Sequence, residues 1–60
     1  MNLIMTLAIA YHNTGTECEF MNTFDQAIDN FKQGYYLCKK NFGEVDSMTQ
    51  NLKNCWKQAI

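Results

Sequence analysis

The stretch YHNTGTEC, residues 11–18, has the composition of a helix but carries Gly15 at its centre. A second helical stretch, AIDNF at 27–31, is followed by another internal glycine, Gly34. Each glycine inside a helix costs about 1 kcal/mol relative to alanine. Two such sites in 60 residues call for a compensating contact. Close helix–helix packing supplies one. With no side chain at the crossing, two backbones approach inside the usual interaxial distance of roughly 8–10 Å. The roughly 2 kcal/mol lost at the two glycines is then offset by one well-buried aromatic, about 1.5–3 kcal/mol. The competing reading makes TGTE a loop, with Thr16 as N-cap and Glu19 completing a capping box.

Working outward from Gly15, apolar or small residues fall at 4, 7, 8, 11, 15 and 18. Steps of three and four mark one helix face. The pattern predicts a first helix over about 2–21. Asn22 and Thr23 follow, both good capping residues, with Gln26 three beyond Thr23 as in a capping box. A second face runs through 24, 27, 28, 31, 34, 35, 38 and 42. The second helix is predicted over 24–42, with Gly43 as a left-handed C-terminal cap and Lys39 and Lys40 suiting the negative helix end. Asp46 or Ser47 caps a third helix over 47–59, with an apolar face of Met48, Leu52, Cys55, Trp56 and Ala59. No segment alternates as a strand does. The expected fold is all-α: an antiparallel hairpin plus a third helix, in one unit spanning 1–60.

Composition narrows the function classes. The chain has no proline and three glycines, which argues against a turn-rich β sandwich and a disordered linker. A net charge of -1, with Lys32, Lys39, Lys40, Lys53 and Lys57 scattered, leaves no basic footprint for nucleic acid. LIM and LAIA, broken by Thr6, are too short to span a bilayer. The N-terminus lacks a signal-peptide pattern. Cys18, Cys38 and Cys55 are odd in number and widely spaced, as buried thiols in a reducing compartment are. A cytoplasmic location is expected.

Helix-turn-helix repeats of about 34 residues keep an aromatic, a Leu-Gly, a Tyr, then Ala and Phe at set distances. Tyr11 takes the first aromatic position, Thr14-Gly15 the Leu-Gly, and Cys18 the Tyr. Phe24 matches an aromatic before the alanine, Ala27 and Phe31 match A-x-x-x-F, and Gly34 takes the next small position. Over residues 8–41 the chain resembles a tetratricopeptide repeat (TPR). Lys39 departs from the pattern at its proline. The continuation FGEVDSMTQNL, 42–52, resembles the connection of the longer kinesin-light-chain-like repeats, with Asp46-Ser47 at their His-Pro place and Asn51-Leu52 opening the first helix of a next repeat.

The resemblance implies a non-catalytic protein–protein interaction or scaffold module that packs into a larger assembly. Its partners are other protein subunits, and extended repeats of this kind imply a ciliary or axonemal setting. By position, the peptide groove of such repeats is lined here by Ile9, His12, Asn13, Thr16, Glu19 and Phe20. The Lys and Asn pattern that clamps a carboxylate in chaperone-binding members is absent, and His12 and Thr16 stand at two of those positions. Trp56 and Ile60 form a second candidate partner surface, because a following hairpin covers that face in a full array. Stacked repeats need about three units and polar caps. LIMTLAIA and WKQAI are not polar, so an exposed apolar surface is expected, the usual mark of an interface.

The residues for chemistry are sparse. His12 is the only histidine, and no C-x-x-C or H-x-x-x-H spacing exists. Asp25 and Asp29 lie one turn apart, which is compatible with acid–base work but is what the positive start of a helix favours. There is no phosphate-binding glycine loop. No catalytic residue, metal ligand, cofactor, membrane contact or small-molecule substrate is expected. Two alternatives stand beside the interaction module: a generic three-helix segment of a longer scaffold protein, and a small cysteine/histidine metal protein.

Overall fold

A computed structural model describes residues 3–59. It is all-α, with helices α1 (Leu3–Phe20), α2 (Phe24–Phe42) and α3 (Ser47–Ala59). The described bounds agree with those read from the periodicity to within one residue. Met1, Asn2 and Ile60 lie outside the described residues. Helix α2 is central: α1 packs on one side of it and α3 on another, while α1 and α3 barely meet.

The turns are built differently from the capping residues anticipated for them. Asn22 adopts φ 63°, and its N–H donates to Glu19 O at 3.0 Å, while Thr23 N–H donates to Cys18 O at 2.8 Å. This is the reciprocal pair of bonds that closes a helix around a left-handed residue, with asparagine in the place usually taken by glycine. The capping box at Thr23 does not form: its side chain caps nothing on α2. Its Oγ1 donates back to Cys18 O at 3.0 Å instead. Thr23 thus satisfies the Cys18 carbonyl of α1 twice over rather than orphan amides of α2. At the other turn Gly43 has φ 91° and ψ 166°, and donates its N–H to Lys39 O. That is positive φ without the left-handed helical ψ that was anticipated, a region open essentially to glycine alone. Asp46 does cap α3, its Oδ2 accepting from Met48 N at 2.9 Å and Thr49 N at 3.3 Å.

The core is Ala8, Ala27, Phe31, Tyr35, Cys38 and Leu52, with Cys18, Leu37, Phe42, Met48, Cys55 and Trp56 packed around it. Both internal glycines are buried in helices, so TGTE is not a loop. Their contacts differ from backbone against backbone. A Cβ on Gly15 falls 2.6–2.9 Å from three atoms of the Phe31 ring. A Cβ on Gly34 falls 3.0 Å from Tyr11 Cβ and 3.1 Å from Leu52 Cδ2. Gly15 is therefore a slot for a ring, and Gly34 is the point where α1 and α3 both press on α2. Two residues anticipated on the inner faces turn out: Leu7 is 46% exposed and Phe24 49%.

Thr49 is fully buried and its hydroxyl finds no partner among the described residues. An unpartnered buried hydroxyl costs about 1–3 kcal/mol, and an apolar group of the same shape removes that cost. Thr49→Val is expected to stabilise the fold by roughly 1 kcal/mol, seen as a rise of about 4–8 °C in Tm for a domain of this size. An unchanged or lower Tm shows that the hydroxyl is satisfied.

Candidate functional site

The first eight residues of α1, LIMTLAIA, are apolar apart from Thr6. A helix on a protein surface normally buries one apolar stripe and presents a polar one to water. Here Ala8 and Gly15 face the core, and Leu3, Leu7 and Ile9 lie exposed. At the end of the helix Phe20 is 87% exposed, beside Met21 and Phe24, themselves exposed at the α1–α2 turn. Lone exposed apolar side chains are ordinary, whereas a continuous set marks an interface. The hollow at this corner is lined only by the consecutive residues 22–26. One turn of chain cannot enclose a small molecule as a ligand cleft does.

The residues assigned to a groove by the repeat pattern run as one band along α1. Ile9, Asn13, Thr16 and Phe20 are exposed, and His12 and Glu19 are half-buried. Thr16 Oγ1 donates to His12 O at 2.9 Å, so this hydroxyl is engaged by its own helix. Trp56 is half-buried. Its ring lies 5.8 Å from Tyr35 and 6.2 Å from Tyr36, with Lys32 Nζ at 6.0 Å. Of the paired tyrosines, Tyr35 is core and Tyr36 is exposed, and both rings serve the α3 contact. The other candidate on that face, Ile60, lies outside the described residues.

The fold brings together one pair that spacing alone did not reveal. Cys55 Sγ of α3 sits 3.6 Å from His12 Nε2 of α1, and the His12 ring leans on Phe31 at 6.0 Å. The two residues are 43 positions apart, so no local motif announces them. A cysteine nucleophile works as the thiolate, beside a cation or an oriented base. Burial first, then the negative charge of Glu19, pushes the Cys55 thiol up instead. The thiol stays protonated at neutral pH, and the pair acts as a polar bolt between α1 and α3. Burial likewise pushes up the Cys38 thiol. Among the described residues, no group of three or more His, Cys, Asp or Glu side chains is placed to hold a metal ion.

The second unforeseen cluster centres on Glu44 in the α2–α3 turn. Tyr35 OH donates to its carboxylate at 2.9 and 3.1 Å, Lys53 Nζ approaches at 3.3 Å and Lys39 Nζ at 3.7 Å. Gln50 Nε2 donates to the Glu44 carbonyl oxygen. The Tyr35 hydrogen bond, with the lysines adding to it, holds the Glu44 carboxyl below its usual range. The same hydrogen bond raises the Tyr35 phenol. A lowered carboxyl contributes stability that is present above its unfolded pKa and lost as pH falls through the folded one. A raised phenol contributes stability that is present below its unfolded pKa and lost as pH rises through the folded one. The turn is therefore held across the neutral range. A Tm profile is expected to fall at acid pH, and Glu44→Gln is expected to flatten that limb. An acid limb of unchanged slope in the variant rules the cluster out as its source.

No described helix is long and apolar enough to cross a membrane. Searches against family models, characterised proteins and solved structures give no match to this chain.

Proposed function

We propose that this chain is a non-catalytic helical interaction module, which docks a protein partner through the outer face of α1 and the adjoining Phe20–Phe24 corner. The observation that carries the reading is two groups of exposed large apolar side chains on one helix and its turn: Leu3, Leu7 and Ile9 near its start, and Phe20, Met21 and Phe24 at its end. Helix α1 spends its apolar residues on two faces, and the three-helix core covers only one. The rest of the structure is compatible with this reading: burial pushes up the thiol of the Cys55–His12 pair, and the hollow at this corner is lined by residues 22–26 alone.

We further infer a TPR-like ancestry, with this unit as one hairpin and the first helix of a next repeat. Burial of Gly15, Ala27 and Gly34, the three positions that the repeat pattern keeps small, supports it. In that reading Ile9, His12, Asn13, Thr16, Glu19 and Phe20 line the concave side. Three free thiols fit a reducing, cytoplasmic setting, and a cytoskeletal or axonemal assembly is the scaffold role proposed for it.

The test is site-specific photo-crosslinking in cells. A photoreactive phenylalanine analogue is placed at Ile9, at Phe20 and, as a control, at the exposed Asn54 of α3. Discrete protein adducts from Ile9 and Phe20, absent from Asn54, are the expected result. Equal labelling at all three positions, or none at Ile9 and Phe20, sinks the reading.

A further inference from the structure

We propose that the exposed corner where α1 meets α2 binds a lysine- and arginine-rich amphipathic segment of a partner protein. The inference rests on this corner being part of the docking face and names the chemistry of what covers it. Phe20 is 87% exposed, Met21 66% and Phe24 49%. Aromatic rings and methionine are favoured in the cores of protein interfaces, with charge kept to the rim. The rim here has one sign. Glu17 lies three residues before Phe20 and four before Met21, so it stands beside both on the helix surface. Asp25 follows Phe24 and lines the open hollow of residues 22–26, with Asp29 one turn further along α2. Glu17, Asp25 and Asp29 are all exposed.

Charge selects the occupant. Residues 1–31 hold Glu17, Glu19, Asp25 and Asp29 and no lysine or arginine, and all five lysines come after them. Among the described residues, Lys39 and Lys53 form ion pairs, and both pairs go to Glu44 in the other turn. Lys32, the lysine nearest the corner in sequence, lies over the Trp56 ring instead. The carboxylates of the corner thus meet no lysine of their own chain. Asp29 accepts from the Gln33 amide at 2.7 Å, which leaves its charge in place. The last turn of α1 sharpens the shortage. That helix end is itself negative, Glu17 and Glu19 add to it, and no base stands there.

A basic amphipathic segment meets both needs at once, with apolar side chains for Phe20, Met21 and Phe24 and cations for the rim. An acidic or neutral partner leaves the carboxylates unpaired. An anionic membrane surface attracts basic segments and repels this corner. Rim charges of this kind set partner choice and association rate more than raw affinity.

The probes are a dye-labelled amphipathic Leu/Lys peptide and a Leu/Glu peptide of equal length, titrated with the full chain by fluorescence anisotropy. An exposed charge pair is worth about 1.4- to 5-fold in affinity. The Leu/Lys peptide is expected to bind at least about tenfold more tightly, with a gap that narrows as salt rises above about 0.1 M. The double variant Glu17→Gln/Asp25→Asn removes one charge that its helix end disfavours and one that its helix end favours, so Tm is expected to hold. Its affinity for the Leu/Lys peptide is expected to fall about 2- to 25-fold, and its affinity for the Leu/Glu peptide is not. Phe20→Ser is expected to weaken both peptides. Equal affinity for the two peptides, a Leu/Lys peptide indifferent to the double variant, or binding of the chain to anionic vesicles overturns the proposal. Self-association that the double variant abolishes makes a second copy the occupant and overturns it as well. If Phe20 crosslinks to a foreign protein while the two peptides bind alike, the docking face stands and the basic partner falls. If Ile9 and Phe20 form no adducts and the Leu/Lys peptide does not bind, both fall.

Discussion

Gly15→Leu is expected to lower stability by about 3 kcal/mol, at the upper end of the usual range for overpacking a core. The first added carbon already falls 2.6 Å from the Phe31 ring, and three more follow it into the same space. The ring cannot swing aside, because Phe31 is fully buried with His12 leaning on it. The gain of about 1 kcal/mol from replacing a helical glycine is too small to reverse the sign. A 60-residue domain holds only about 3–9 kcal/mol in total, at 0.05–0.15 kcal/mol per residue. Urea unfolding followed by circular dichroism measures the loss. The diagnostic variant is the double one: Phe31→Leu, added to Gly15→Leu, is expected to recover at least about 1 kcal/mol relative to the sum of the singles, since residues that share one space couple. Additive effects would falsify the ring-in-slot account.

Leu52→Ala carries the second large effect, a loss of about 2–5 kcal/mol for a buried leucine. Leu52 is fully buried and reaches the vacant side of Gly34. It is the side chain through which α3 enters the groove of α2. Because α3 barely touches α1, its loss is expected to be local: α3 lets go while the α1–α2 hairpin persists. Trp56, the single tryptophan, reports α3 alone through its contacts with Tyr35 and Tyr36. In the variant, its emission is expected to shift to the red at lower urea than the helical circular dichroism falls. Coincident transitions, the signature of two-state unfolding, show instead that the three helices melt as one.

The helices were legible because their signals are local. Periodicity placed the bounds, Asp46 capped where an aspartate was available, and Gly43 marked a stop. The errors are equally physical. Leu7 and Phe24 fit a helical face by spacing, yet each lies at its edge, and spacing does not say how wide a stripe the neighbour covers. Thr23 has the residue type of a helix start, but its hydroxyl found the nearer orphan carbonyl of Cys18. Asn22 took a left-handed position that glycine usually fills.

The candidate site divides along the same line. The apolar excess of LIMTLAIA is a property of composition and was visible in the sequence, whereas the exposed corner was not, since spacing placed Phe24 on the inner face. The His12–Cys55 contact and the Tyr35–Glu44–Lys53 cluster were not visible. Each joins residues on different elements, and no repeating interval links them.

The residue order by itself determined an all-α chain, three helices and their approximate ends, and two internal glycines that require a close neighbour. Those follow from backbone propensity and from the 3.6-residue turn, which act within a few residues. Only the tertiary structure decided that a ring fills the space at Gly15, that α1 and α3 converge on Gly34, and that Leu3, Leu7 and Met21 face outward. Those outcomes depend on the angle and depth at which α2 receives its neighbours, and that geometry is settled by the packing of the three helices together.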